Sequence, residues 1–193
     1  MKILAAAAVL LSGCALRPDI VTDTYVFDLP APPSGGPRSS RAISVLPVTA
    51  SPAAADQMFL YRVDEVRYES DFYNRFLAPP ARLLTSKLRQ WLAQSRAGEI
   101  RMPGSPLGAD LVVQPRLTEL YVDYRVPARP AAVMAVRLVL FRETTDGPVE
   151  VFERTYRRAV PMAEIGPRAA AKAWSRGASE IFAEFTRDLR AEG

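Results

Sequence analysis

Leu11-Ser12-Gly13-Cys14 is the stretch whose residue types and spacing point to covalent chemistry. It follows one basic residue, Lys2, and an apolar run from Ile3 to Leu11. A charged start, a short apolar core, small residues and then a cysteine read as a bacterial lipoprotein signal. In that reading cleavage precedes Cys14. The cysteine then carries diacylglycerol on its sulfur and a further acyl chain, such as palmitate, on its new amino group. An ordinary signal peptide followed by a chance cysteine is the competing reading. It is disfavoured because Cys14 is the only cysteine in the chain and stands where the motif requires it. At thirteen residues the signal is short, so a start codon further upstream stays open.

The expected organisation is residues 1–13 as signal peptide, 14–22 as lipidated N-terminus and short tether, and 23–193 as one domain. A transmembrane helix needs about 20 apolar residues. The Ile3–Leu11 run is about half that length, and no later segment qualifies. One acyl chain is a marginal anchor, whereas two or more hold firmly. Residue 15 is Ala rather than Asp. In Gram-negative bacteria Asp at that place commonly retains a lipoprotein at the inner membrane, so Ala15 points to the outer membrane, facing the periplasm.

Composition narrows the chemistry further. Apolar residues make up 49% of the sequence, enough for a packed core rather than a disordered tail. The formal charge of +4 becomes +3 without Lys2, and acids and bases are interspersed, which argues against nucleic acid as a partner. The chain has no histidine, which removes Ser-His-Asp triads, Cys-His pairs and the usual zinc sites together. Neither a G-x-S-x-G elbow nor a phosphate-binding G-x-x-x-x-G-K-[ST] loop is present. No catalytic or metal-ligating residue is assigned, and no cofactor beyond the acyl chains on Cys14. The expectation is a protein that is not an enzyme.

The elements that position the rest follow from periodicity. Asp23–Leu29 reads as a short strand, and Pro30–Arg41 (PAPPSGGPRSSR) as a mobile loop or tether. Ala42–Val48 suits a core strand, with Pro47 marking an edge or bulge. Met58–Val63 and Val66–Tyr68 are strand-like around Asp64-Glu65, and Asp71–Ala78 leads into Pro79-Pro80. Ala81, Leu84, Leu88, Trp91 and Leu92 then form one apolar stripe, predicting a helix over Pro80–Gln94 with Lys87, Arg89 and Gln90 facing away and Gly98 as its stop. From Leu111 the alternation changes phase near Thr118-Glu119, as a bulge would produce. Val133–Phe141 is apolar enough for a central strand, Asp146-Gly147 reads as a hairpin turn, and Val149–Val160 completes a three-strand meander. Ala170, Trp174, Ala178, Ile181, Phe182, Phe185 and Leu189 predict a terminal helix of roughly 25 residues. Gly177 inside it either weakens the helix or permits close packing. The fold class is therefore α+β: a single domain with a mostly antiparallel sheet packed against two amphipathic helices.

The stretch Phe59–Leu92, FLYRVDEVRYESDFYNRFLAPPARLLTSKLRQWL, resembles the core of the ABC-type transport auxiliary lipoproteins. The family pattern is a tyrosine-bearing strand, an acidic turn, a second tyrosine-bearing strand, an aromatic-rich turn ending in proline, and a leucine-rich helix. Tyr61, Tyr68, Tyr73, Phe76, Pro79, Leu83 and Leu84 occupy the matching places, with Phe76 where the family usually has tryptophan. The resemblance implies a non-catalytic accessory of an ABC transporter, often one with an MCE-type (mammalian cell entry) periplasmic subunit, moving lipids or other apolar molecules between membranes. Its partners would be that MCE-type protein with its permease and ATPase, and the membrane through the anchor. A homo-oligomeric ring would match a symmetric conduit.

For the partner-binding surface the sequence offers Tyr61, Tyr68, Tyr73, Arg75 and Phe76, since aromatics and arginine dominate binding hot spots. The competing reading has half of these aromatics capping the core beside the first helix. Two other functions stay open at this point. One is direct lipid handling in a groove lined by Val133–Phe141 and the Trp174–Leu189 face. The other is structural assembly, as a secretin pilot or outer-membrane biogenesis factor.

Overall fold

The computed structural model describes residues 21–33 and 39–192. Leu11, Ser12, Gly13 and Cys14 lie outside the described residues, as do positions 34–38 of the Pro/Gly/Ser-rich segment. Nine strands form one mixed sheet: β1 (Asp23–Tyr25), β2 (Ala42–Val45), β3 (Thr49–Ala50), β4 (Met58–Arg62), β5 (Tyr68–Phe76), β6 (Glu99–Arg101), β7 (Leu111–Asp123), β8 (Ala131–Thr144) and β9 (Gly147–Pro161). Two helices, α1 (Pro80–Gln94) and α2 (Pro167–Ala191), complete a single α+β domain.

β7 is the strand on which the sheet is assembled. One of its edges carries the full antiparallel ladder to β8. The other is shared by three short strands in series, all parallel to it: β2 at Leu111–Val113, β3 at Arg116–Leu117 and β4 at Val122–Asp123. Pro47, which has no N–H to give a ladder, stands in the break between β2 and β3. β6 extends the sheet beyond β2, and β5 then β1 extend it beyond β4. The antiparallel ladders β4–β5, β7–β8 and β8–β9 are the longest; the parallel pairings are short.

The β7–β9 meander follows its sequence closely. The β7–β8 register shifts between Leu117 and Glu119, at the phase change in the sequence, so that Leu117 and Leu120 both reach the core. β8 is central to the meander, with a strand on each side, and its residues from Ala132 to Leu140 are buried except Arg137. Gly147, with φ +112°, follows the Thr145-Asp146 turn in a backbone region that a side chain disfavours.

Both helices lie on one face of the sheet. In α1, Leu84, Leu88, Trp91 and Leu92 are buried; in α2, the whole stripe from Ala170 to Leu189 is. Pro80 and Pro167 open the two helices at positions where a missing N–H costs nothing. β8 and α2 close on each other, with Met134, Leu138 and Trp174 at most 1% exposed. These faces form a closed core and do not line a lipid groove.

Two local expectations are corrected. Arg89 does not face away: its guanidinium donates to the Val45 carbonyl at 2.6 and 3.1 Å, closing the end of β2. α1 is stopped by Arg96 at φ +57° rather than by Gly98. Gly98 is where the chain meets β2, for a Cβ there would lie 2.6 Å from the Arg41 carbonyl oxygen and 2.6 Å from Ile43. Gly177 is different, since a Cβ would sit 3.4 Å from Val160, an ordinary contact.

The two glycines should therefore respond with opposite signs. Gly98→Ala forces backbone apart and should cost about 1–3 kcal/mol. Gly177→Ala should be neutral or gain up to about 1 kcal/mol from helix propensity. Urea unfolding of both variants followed by circular dichroism checks the pair.

Candidate docking surface on the hairpin

Asp71-Phe72-Tyr73-Asn74 is not a turn that ends a strand but a wide bulge inside β5. Met58 pairs with Arg75 and the next residue, Phe59, pairs with Asp71, so three residues of β5 have no counterpart on β4. Asp71 holds the bulge. Its carboxylate accepts the backbone N–H of Tyr73 at 2.9 Å and of Asn74 at 3.1 Å, the Asn74 side-chain amide at 2.9 Å, and the Tyr61 hydroxyl at 2.6 Å. An aspartate accepting N–H groups two and three residues on is the local device that turns a chain. Phe72 and Tyr73 are pushed outward, 69% and 62% exposed.

The hairpin tip is tied as firmly. Asp64 accepts the N–H groups of Val66 and Arg67, and Glu65 is bridged by Arg62 and by Arg125 from beyond β7. Asp64 and Glu65 thus belong to the turn and not to a strand. Beside the tip, Tyr68 stands edge-on to Tyr121, with the Arg62 guanidinium 5.7 Å from its ring centre.

Of the five residues singled out by type, four lie on this hairpin but not on one face: Tyr61 pairs with Glu69 and Tyr68 with Arg62, so the two tyrosines point to opposite faces of the sheet. Tyr61 is half-buried, its ring 5.5 Å from Tyr124 and its hydroxyl spent on Asp71. Tyr68 and Tyr73 are exposed. Arg75 is exposed and, among the described residues, enters no ion pair. Phe76 does not belong with them. At 1% exposure it packs between Phe27, Phe59 and Trp174 and is a core residue. Sequence reasoning missed Phe72, Val66 and Leu77, the last two 89% and 63% exposed. The signal for Phe72 was its place directly after the bulge-forming Asp71. The surface also has a free edge: β1 pairs only with Asn74–Phe76, leaving the outer edge of Tyr68–Tyr73 without a strand among the described residues.

Two titrations are set by this geometry. Burial raises the Tyr61 hydroxyl well above its ordinary range, helped by the hydrogen bond to Asp71. Burial would also raise Asp71, but the hydrogen bonds from Tyr61, Tyr73 and Asn74 outweigh it and hold its carboxyl below the usual value.

The hairpin of this α+β domain thus carries exposed aromatics, an arginine without an ion pair among the described residues, and an open strand edge. Protein XCC0632 of Xanthomonas campestris has a similar fold, with a TM-score of 0.79 at 16% identity over 89% of this chain and 97% of that one. An uncharacterised protein of known structure is also similar (TM-score 0.69, 18% identity, 88% and 99% covered), as is the hypothetical protein CT253 of Chlamydia trachomatis (0.55, 13%, 79% and 97%). At these identities the likeness is one of fold. No curated protein matches the sequence. The model of the ABC-type transport auxiliary lipoprotein component family matches residues 25–185, and the chain belongs to that family. The matched span contains the whole Phe59–Leu92 stretch. Association with an ABC transporter and with a membrane as a lipoprotein comes with the family; no helix of the described residues is long and apolar enough to cross one.

Because Asp71 has a depressed carboxyl, its contribution to stability is present above about pH 4 and is lost as pH falls through its lower folded-state value. Asp71→Ala should cost about 1–3 kcal/mol at neutral pH, as buried donors lose their acceptor. It should also flatten the fall in stability between about pH 5 and 2. Denaturant unfolding across that range reads both effects.

Proposed function

We propose that this chain is an outer-membrane-anchored, periplasmic accessory of an ABC transporter with an MCE-type subunit, which moves lipids or other apolar molecules between the two membranes. The acyl chains on Cys14 hold the domain at the membrane. The β4–β5 hairpin docks on the distal part of the transporter, while the permease and ATPase are separate chains. The observation that carries this reading is the exposed Phe72-Tyr73 bulge beside Arg75, which enters no ion pair among the described residues, on a hairpin whose base is fixed in the core through Phe76. Rigid aromatics that need no reordering give binding area at low entropic cost. The open β5 edge adds backbone donors and acceptors that a partner strand can pair. Assembly of several copies into a ring would present repeated hairpins to a symmetric partner.

Crosslinking of the lipidated protein in its native envelope, followed by mass spectrometry of captured chains, tests this. An MCE-type protein with its permease supports the reading; a secretin or barrel-assembly component overturns it in favour of a structural assembly role. Tyr73→Ala with Arg75→Ala should cut capture by about tenfold or more, as two hot-spot side chains can. The thermal midpoint should stay within about 2 °C, since neither side chain is in the core. A large fall in the midpoint with capture unchanged would assign the two residues to stability.

A further inference from the structure

Every fourth residue of α2 from Arg168 to Asp188 is charged, and the sign changes halfway: Arg168, Lys172, Arg176, then Glu180, Glu184, Asp188. Successive members lie next to one another on the helix surface, so each half is a row of like charges that opposes helix formation. The helix dipole makes this worse, because it favours acids at the N-terminal end and bases at the C-terminal end. The acidic half is answered within the chain. Arg154 of β9 donates to Asp188 at 2.6 Å, and Arg158 bridges Glu180 at 3.1 Å and also pairs with Glu184. The basic half has no such answer: among the described residues, Arg168, Lys172 and Arg176 enter no ion pair.

All three cations are exposed. They line one side of a groove of about 610 Å³ whose other wall is β1 and the segment after it. Asp28 is the one acid lining it, and the backbone N–H of Asp28 is anchored on the Ser175 hydroxyl at 3.0 Å. Val26, 45% exposed, gives the lip an apolar residue. The net charge of the groove is positive, so its complement is an anion from outside the chain.

We propose that this groove seats the phosphate headgroups of anionic phospholipids in the membrane that carries the anchor. The proposal rests on the acylation of Cys14 set out under the proposed function. Cys14 lies ten residues before Thr24, a span of at most about 36 Å when fully extended. β1 starts at Asp23, and the groove wall at Thr24, so the groove stays within reach of the bilayer surface. Clustered basic side chains near a membrane are drawn to anionic headgroups within a Debye length. An apolar lip beside them suits the boundary between headgroup and acyl chain.

Lys172 and Lys87 are the lysines of the mature chain, which makes the test an internal comparison. Lipidated protein is reconstituted in vesicles of phosphatidylcholine alone or with phosphatidylglycerol, then labelled with a water-soluble amine reagent. Lys172 should react about fivefold or more slowly on the anionic vesicles, with Lys87 unchanged. Arg168→Glu with Arg176→Glu should abolish the difference without lowering the thermal midpoint, since acids near the helix N-terminus and beside Lys172 favour the helix. Equal Lys172 rates on both vesicles, slowing of both lysines together, or protection that survives the double variant would each overturn the proposal. So would protection on neutral vesicles by added inorganic phosphate, which would assign the groove to a free anion. The mass of the N-terminal peptide in the same digest reports acylation of Cys14, so failure of the anchor reading is seen separately.

Discussion

One indole and three phenyl rings hold together everything this protein presents to the outside. Trp174 of α2 meets Phe59 of β4 edge-on at 4.8 Å and Phe76 of β5 at 5.5 Å, while Phe27, just beyond β1, packs on Phe76 at 4.9 Å. The Trp174 N–H donates to the Val133 carbonyl of β8, so the same ring reaches the central strand. Aromatic pairs in these offset and edge-on geometries add to their area of burial. The hairpin, the entering N-terminal segment and the terminal helix are distant in sequence, and this cluster makes them one body. The exposed bulge is rigid because its base is here.

The charged residues divide into those that seal the fold and those that remain available. On the outer face of the sheet, Arg157 pairs with Glu119 and reaches Tyr121, and Arg137 pairs with Glu153; between them they cover Val133, Ala135 and Val139, which would otherwise be open apolar surface. Long side chains screening apolar positions explain why β8 is buried on the face that carries no helix. Exposed pairs of this kind contribute little to stability individually. Their placement along β9 has a second effect, because charge on a long outermost strand discourages pairing with another sheet. The free edge of β5 between Tyr68 and Tyr73 carries three aromatic rings and one ion pair, Glu69 with Arg67.

Much of this was legible in the sequence, for physical reasons that also mark where legibility ended. The meander, its bulge at Thr118-Glu119 and both helices show because a half-buried strand or helix must repeat its apolar residues with the period of its backbone. The parallel seating of β2, β3 and β4 along one edge of β7 leaves no such trace, since pairing partners far apart in sequence impose no local pattern. Phe76 shows the same limit. Its type suits an interface and a core equally, and the skip of three residues at Phe72–Asn74 decides which way it faces. Gly98 looked like a helix stop because helices often end in glycine, yet Arg96 takes the left-handed conformation and Gly98 is required by the approach of Arg41. The basic row on α2 was hidden by averaging: charges dispersed along the sequence are gathered by a helical repeat into a single-signed stripe.

The placement of β1 ties these surfaces to each other. β1 is the last strand beyond β5, so the chain enters the domain with the hairpin on one side and the groove of α2 on the other. Tyr25 faces inward against Phe59, and its hydroxyl donates to Asn74 at the end of the bulge; Asp28 is held by Ser175 on the helix. In the proposed function, an anchored N-terminus would therefore fix more than distance from a membrane. Because β1 pairs with β5 in parallel and Phe27 is fully enclosed, pulling on the tether loads the sheet edge and the aromatic cluster rather than a loose arm. Orientation follows from the same contacts: a bilayer engaging the α2 side of β1 leaves the Phe72-Tyr73 bulge, on β5, free for a second partner. Attachment and docking can then be served by adjoining strands without competing for one surface.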